Sequence, residues 1–469
     1  MKTRICCMAC MLLVIFTGCE KFTDVDPKGK NLLEEVAHLD QLLNFQFGGF
    51  QELEMNNLSV LVNDLYPTIT DVPNTISAPV ETLASVLLTW DEEGKRAALT
   101  ASDGIYEECY SIIGKVANPV LLKVDEAVGD REMAARLKAE AYVLRAYFHY
   151  LLVNVYAKAY DPATAATDGG VPYAREDDVL AVPNRKRSVQ EVYDFILEDL
   201  EAAFALNSLL DKPRNLMRVG KAFAHAVEAM VRMSMRDFEG AERAAMASLA
   251  IQGTLEDHRE CLILDYDWET NELGMFFNRP RLQCAEDLFF AGAVSLLICA
   301  LTPEMSAAFE EENIFHNTVG KDNWYGEVLY GLPIEVLLAD AVYLNSCGLT
   351  TVDMYLVQAE CRLRDGDLTG AMEILNGIRE MRVDPYTPVV AANVADAFAL
   401  LKNITRTETW FGPKHFIALK RWNTEDAYKA TIRKTILDVD YELRPDSPLW
   451  IFPFPRNATG NNPNLIQNY

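Results

Sequence analysis

Residues able to do chemistry are plentiful in this chain, but they are not grouped for it. The histidines (His38, His149, His225, His258, His316 and His415) stand singly, without the HExxH or paired spacing that turns two imidazoles toward one metal. No GxSxG elbow presents a serine nucleophile, and no glycine-rich loop is built to cradle phosphate. Asp265-Tyr266-Asp267-Trp268-Glu269 gathers carboxylates but lacks the spaced ligands and turn glycine of an EF-hand, so it reads as a solvated loop. Paired carboxylates for glycoside hydrolysis are recognised by their separation in space, which no sequence spacing supplies. What the chain does offer is aromatic surface. An indole or phenol face stacks on the apolar face of a ligand, while Asp, Asn, Arg and Gln bond its polar groups. Trp90, Trp268 and Trp324 lie in stretches rich in Gly, Pro, Asn and Asp; Trp410, Trp422 and Trp450 lie where core packing is the simpler reading. These patterns describe a binding protein, not an enzyme, and call for no cofactor and no metal.

The elements that must position those side chains are helical. In Val352–Arg382, Tyr355, Leu356, Ala359 and Leu363 recur at helical spacing, then Ala371, Ile374, Leu375 and Ile378. Arg364-Asp365-Gly366-Asp367 makes the turn between the two arms, with Gly366 free to adopt φ > 0. Val219–Leu249 repeats the design: Ala229 and Ala241 are twelve residues apart, as Ala359 and Ala371 are, and Arg236-Asp237 takes the turn. Both resemble tetratricopeptide hairpins, which bury their apolar faces only by stacking on one another.

Elsewhere the pattern varies. Leu32–Phe47 is predicted to be an amphipathic helix, and residues 48–100, with Tyr66, Pro67, Pro73, Pro79 and Trp90, a long loop. Helices are predicted at Ser102–Val128 and Arg131–Tyr156, the second with Tyr142, Tyr147, Phe148 and Tyr150 as a core stripe. After a loop at Ala157–Arg187, Ser188 and Glu191 form a capping-box pattern at the head of another helix. That pair of helices reads as one repeat with an insertion between its arms. Residues 252–350 lose the helical period, Ala395–Trp422 and Asp426–Val439 are predicted helical, and the tail with Trp450, Ile451, Phe452 and Phe454 is expected to lie against the body.

A net charge of −26 repels phosphate backbones and argues against nucleic-acid binding. Lys2 and Arg4 precede the apolar run Ile5–Phe16, shorter than the ~20 residues that span a bilayer, which marks a signal peptide. Thr17-Gly18-Cys19 resembles a bacterial lipobox, with Phe16 where Leu is usual. Lipidation of Cys19 and loss of residues 1–18 follow from that resemblance, with residues 19–30 as a polar tether. Cys109, Cys261, Cys284, Cys299, Cys347 and Cys361 have no metal-ligand spacing and read as buried thiols, an occasional disulfide being compatible with export.

Taken in order, these segments resemble the SusD/RagB family of Bacteroidetes surface lipoproteins. The matching residues are Cys19; Tyr110, Ile113, Asn118 and Leu122 within Tyr106–Asp125; Leu144-Arg145-Ala146-Tyr147-Phe148; and Gly170-Val171-Pro172. Leu375-Asn376-Gly377-Ile378-Arg379 follows, then Gly412, Phe416, Leu419, Arg421 and Trp422. The terminus is the most specific, with Leu449-Trp450, Pro453, Pro455, Asn462-Pro463-Asn464-Leu465 and Gln467-Asn468. The chain departs from the family in lacking the early-helix Trp and in ending Asn468-Tyr469 without the usual Pro-Gly-Tyr. The resemblance implies an all-α, tetratricopeptide-like scaffold with a loop-rich, ligand-binding subdomain at 252–350, between an N-terminal region at 31–251 and a C-terminal region at 351–469. It implies a lipid-anchored outer-membrane protein facing outward, which binds glycans, or alternatively peptides or another nutrient. Such a protein acts as the lid of a SusC-like TonB-dependent transporter. The family draws its ligand contacts from the early loop and the inserted subdomain. The expected ligand residues are therefore Trp90, Trp268, Trp324 and Tyr325, with Asp64 and Tyr66 as hydroxyl-bonding neighbours; the competing reading of each is packing or contact with the transporter.

Overall fold

A computed structural model describes residues 33–45, 52–68, 70–178, 182–262, 283–292, 296–318, 323–340 and 345–469. The signal peptide, Cys19, the tether, Trp268 and the acidic run 265–269 lie outside the described residues. Helix α1 (Val36–Leu42) is followed by α2 (Glu52–Leu61), α3 (Val72–Ser77), α4 (Leu83–Thr89) and α5 (Arg96–Leu99). The stretch 48–100, expected as loop, is thus largely helical in its described part. Its helices are too short for an apolar period to declare itself, and local caps set their starts. Asp71 accepts from the Asn74 amide at 3.0 Å, and Thr82 with Ser85 forms a capping box.

Helices α6 (Gly104–Ile112) and α7 (Asn118–Lys123) run together through a π-turn at Ile113–Ala117. The long α8 (Arg131–Tyr156) packs on α9 (Val189–Ala205), and between them β1 (Gly169–Pro172) pairs antiparallel with β2 (Lys186–Ser188). Tyr147, Phe148 and Tyr150 of α8 are buried and Tyr142 half-buried, so the aromatic stripe is core as expected.

The next hairpin is α10 (Lys221–Ser234) with α11 (Phe238–Ile251). The chain then passes through α12 (His258–Cys261), β3 (Asp287–Phe289), β4 (Leu296–Ala300), α13 (Pro303–Ser306), α14 (Ile314–Thr318), α15 (Asn323–Tyr330), β5 (Val336–Asp340) and β6 (Leu349–Thr350). Strands β3 and β6 pair antiparallel, as do β4 and β5. The second hairpin is α16 (Thr351–Arg364) with α17 (Leu368–Glu380). Its likeness to the first extends to atoms. Ala229, Ala241, Ala359 and Ala371 are all wholly buried. Asp237 caps α11 by accepting from the Gly240 amide at 3.0 Å, and Asp367 caps α17 through Gly370 at 2.9 Å. Arg232 bonds Asp237 at 2.6 Å and Arg362 bonds Asp367 at 3.2 Å, the same offset in both. A Cβ on Gly240 or Gly370 would lie 2.2 Å from the capping carboxylate, so any larger residue there would have to displace the cap. Where the segment between the hairpins leaves and returns, it is pinned: Thr351 Oγ1 donates to the Thr254 carbonyl and Tyr355 Oη to the Gly253 carbonyl, each at 2.7 Å.

The predicted span Ala395–Trp422 is two helices, α18 (Val394–Glu408) and α19 (Pro413–Trp422). Gly412 breaks it with φ +108°, and a Cβ there would sit 2.5 Å from the Ser346 carbonyl oxygen. Gly412→Ala is expected to destabilise the fold by about 1–3 kcal/mol, seen as a lower urea midpoint. An unchanged midpoint would show that this junction bears no strain. Residues 426–439, predicted helical, instead lead into the hairpin β7 (Ile432–Ile436) and β8 (Val439–Leu443). Its two-residue turn, Leu437-Asp438, has φ of 49° and 61° without the Asn-Gly signature that would announce it. After α20 (Arg456–Asn461) the tail lies on the body, where Asn468 Nδ2 donates to the carbonyls of Tyr156 and Gly170 at 2.8 and 2.9 Å.

Helices therefore dominate, and the strands form two-stranded accessories. One core runs from Val36 to Leu465; a second joins α16, α17, α18 and Trp422. A third brings Tyr66, Val72 and Leu88 against Tyr330, Ile334, Val336 and Ile436. Trp410, Trp422 and Trp450 are buried as expected. Among the described residues no helix is long and apolar enough to cross a membrane.

Candidate functional site

The third core joins the two regions expected to carry ligand contacts, the early segment and the one between the hairpins. Helix α15 is mounted on it. Tyr330 is wholly buried, and the backbone at Gly326 runs so close to the Ile334 carbonyl that a Cβ would lie 2.2 Å from its oxygen. Trp324 is 60% exposed and Val328, one helical turn on, 59% exposed. At the end of α15, Gly331 takes φ +69° beside Pro73 and Asp71, so the early segment borders the same face. A helix seated on that core thus carries an exposed indole and an exposed isopropyl group one turn apart. The side chain of Tyr325, on the same helix, lies outside the described residues, as does Trp268.

Three of the other expected ligand residues are inside the protein. Trp90 is 6% exposed; it ends α4 in the left-handed conformation, its Nε1 donates to the Leu61 carbonyl at 2.9 Å, and Lys434 Nζ sits 3.9 Å above its ring. Burial pulls the Lys434 ammonium down to about 7, against the opposing pull of Glu304. Tyr66 is buried in the third core, and burial together with the Glu304 charge pushes its phenol up to about 12. Asp64 is wholly buried, and both its oxygens are engaged: Oδ1 accepts from Arg406 Nε at 2.7 Å and Oδ2 from His415 Nδ1 at 2.6 Å. None of the three offers surface to a ligand. Tyr66 belongs to the core on which α15 rests, Trp90 to the main core, and Asp64 ties the segment after α2 to α18 and α19, because apolar faces and a carboxylate in a Pro-rich stretch are as useful for packing short helices as for stacking on a ligand.

Sequence reasoning missed Arg406 and His415, the residues that Asp64 holds. They stand more than three hundred positions away, in a segment read as structural, and no local pattern links them to it. Among the described residues no group of three or more His, Cys, Asp or Glu side chains is arranged to hold a metal.

Residues 21–231 match a family model, SusD-like, described as starch-binding and associating with the outer membrane. No curated protein matches the chain in sequence. Among solved structures, the fold is similar to a SusD superfamily protein from Bacteroides thetaiotaomicron, with a TM-score of 0.68 at 15% identity over 93% of this chain and 100% of that one. It is similar also to surface glycan-binding protein A from Bacteroides uniformis, with a TM-score of 0.63 at 14% identity, covering 92% of this chain and 99% of that one. The protein of the same name from Bacteroides thetaiotaomicron gives 0.61 at 14% identity over 93% and 99%. Residues 21–231 thus carry the sequence pattern of the SusD-like family model, and the fold is similar to that of these solved structures over nearly the whole chain.

Proposed function

We propose that this chain captures nutrient oligomers, foremost glycans, at the cell surface and hands them to a SusC-like TonB-dependent transporter, on which it acts as a lid. The observation that carries the reading is Trp324, 60% exposed on a helix whose other face is locked into a core. A flat aromatic held rigidly at the surface loses little entropy on binding and matches the C–H face of a sugar ring. The matched family's description as starch-binding and the similar folds named surface glycan-binding proteins support this ligand class. Tyr325 and Trp268 extend the contact, and Tyr66 helps to hold it in place from the shared core. The chain forms and breaks no bonds and needs no cofactor. A lipid on Cys19 and the tether at 19–30 keep the body at the outer face of the outer membrane. The regions 31–251 and 351–469 supply the scaffold, 252–350 the ligand face, and the lid opens by rigid-body rocking.

Calorimetry and affinity electrophoresis of the chain lacking residues 1–19, against neutral polysaccharides and peptide mixtures, test this. A glycan should bind, and Trp324→Ala should weaken it by about 2 kcal/mol, roughly thirtyfold. Binding to peptides alone would overturn the glycan assignment; binding indifferent to Trp324→Ala would overturn the site.

A further inference from the structure

We propose that the cavity enclosed by the end of α2, α18, α19 and β7 binds the carboxylate-bearing unit of an acidic saccharide, a uronate. The inference rests on the glycan reading for the class of ligand, but its site is separate from the Trp324 surface. The cavity has a volume of about 330 Å³, and its polar lining is Asn63, Lys402, Asn403, Arg406, His415, Arg433 and Glu304. That volume falls at the small end of the ~300–1,000 Å³ usual for ligand pockets.

Charge is the first argument. On a chain of net charge −26, Lys402, Arg406 and Arg433 all line one concavity; Asp64 offsets the charge of Arg406, so Lys402 and Arg433 carry the positive field there. Hydrogen-bonding capacity is the second. Arg406 gives Nε to Asp64 at 2.7 Å, Nη1 to the Glu304 carbonyl at 3.1 Å and Nη2 to the Asn63 carbonyl at 2.7 Å. A guanidinium has five N–H groups, so two are left on a side chain already fixed in direction. Lys402 gives one N–H to the Tyr428 carbonyl at 2.5 Å and keeps two. Arg433 is 71% exposed in its side chain and stands 3.6 Å from its nearest carboxylate, Glu442, beyond hydrogen-bonding distance. His415, with Nδ1 turned to Asp64, has no partner on Nε2 among the described residues; in the neutral ring that atom is an acceptor.

Glu304 decides the class. It would repel a bare inorganic anion, yet Asn63 donates only to its Oε2, at 3.1 Å. A ligand that brings a carboxylate to the cations and hydroxyl groups to Glu304 and His415 Nε2 satisfies both kinds of group, and a uronate unit carries both. Strand β7 ties this cavity to the α15 platform, since Ile432 and Arg433 line the first while Ile436 packs with Tyr330 in the second.

The test is calorimetric titration of the chain lacking residues 1–19 with trigalacturonate, a neutral galactose trisaccharide and sodium sulfate. Trigalacturonate should bind and weaken with added salt, and the pair Lys402→Gln and Arg433→Gln should weaken it at least tenfold. The charge-keeping pair Lys402→Arg and Arg433→Lys should hold most of the affinity with an unchanged circular-dichroism spectrum. The proposal is overturned if trigalacturonate does not bind, if the glutamine pair leaves its affinity intact, or if sulfate competes as well as the saccharide does. Should neutral glycans bind through Trp324 while trigalacturonate fails, the acidic site alone falls. Should no saccharide of any kind bind, the glycan reading falls with it.

Discussion

Glu360→Gln is expected to remove about 3–5 kcal/mol of stability, because it leaves two buried guanidinium groups short of their counter-charge. Glu360 Oε1 accepts from Arg421 at 2.7 Å, from Arg364 at 2.7 and 2.9 Å and from Trp422 Nε1 at 3.1 Å; Oε2 accepts from Arg421 at 2.6 Å. Burial by itself would raise the carboxyl, but the charges and hydrogen bonds of Arg421 and Arg364 outweigh it and hold it at about 2. A carboxylate depressed from 4.5 in the unfolded chain contributes stability that is complete above pH 4.5 and is lost as pH falls through about 2. The group's share in that window is about 3 kcal/mol, from the shift. Urea melts from pH 7 down to pH 3 check both statements. The parent should lose stability on acidification faster than the Gln variant, whose midpoint starts lower; parallel curves would show that this ion cluster does not couple folding to protons.

Arg145→Met should cost a similar amount, about 3–5 kcal/mol, by stranding Asp199 without its partner. Arg145 reaches from α8 to both oxygens of Asp199 on α9 at 2.7 Å each and to Asn118 of α7 at 3.2 Å, and it also pairs with Glu176. Tyr173 Oη adds a further bond to Asp199 at 2.5 Å. The burial of Arg145 is outweighed by Asp199, so the guanidinium stays charged. Because the loss is mostly that of an orphaned charge, Asp199→Leu placed on top of Arg145→Met should restore much of the stability. A double-mutant cycle read by thermal melting gives the coupling; additive losses would mean that the pair does not act as a unit.

These two clusters mark where sequence reading stops. Within Leu144-Arg145-Ala146-Tyr147-Phe148 the aromatics declare themselves by helical spacing, and Tyr147 and Phe148 are core. Arg145 declares nothing, since its partners lie 27 to 54 residues away. The hairpins were legible because their alanines, capping aspartates and turns recur at one spacing. The short helices of residues 52–99 were not, each being shorter than the window in which periodicity can be counted. The β7–β8 hairpin was hidden by a turn of Leu437-Asp438 that carries no sequence signature. Of the candidate site, Trp324 was legible as an aromatic in irregular surroundings. Trp90 and Tyr66 fitted the same description, with Asp64 as a polar neighbour, and only burial separates the three from it.

The pinned exit and return of the segment between the two hairpins has a consequence for how such a protein can diversify. Thr254 and Thr351 are held together by a 2.7 Å bond, so the ends of the intervening chain meet whatever lies between them. Closing a longer loop across fixed ends costs only about 0.6 kcal/mol per doubling of its length. The scaffold therefore works as a socket. A segment of different length and chemistry can be exchanged at this one doorway while the helices that hold the rest of the molecule keep their register.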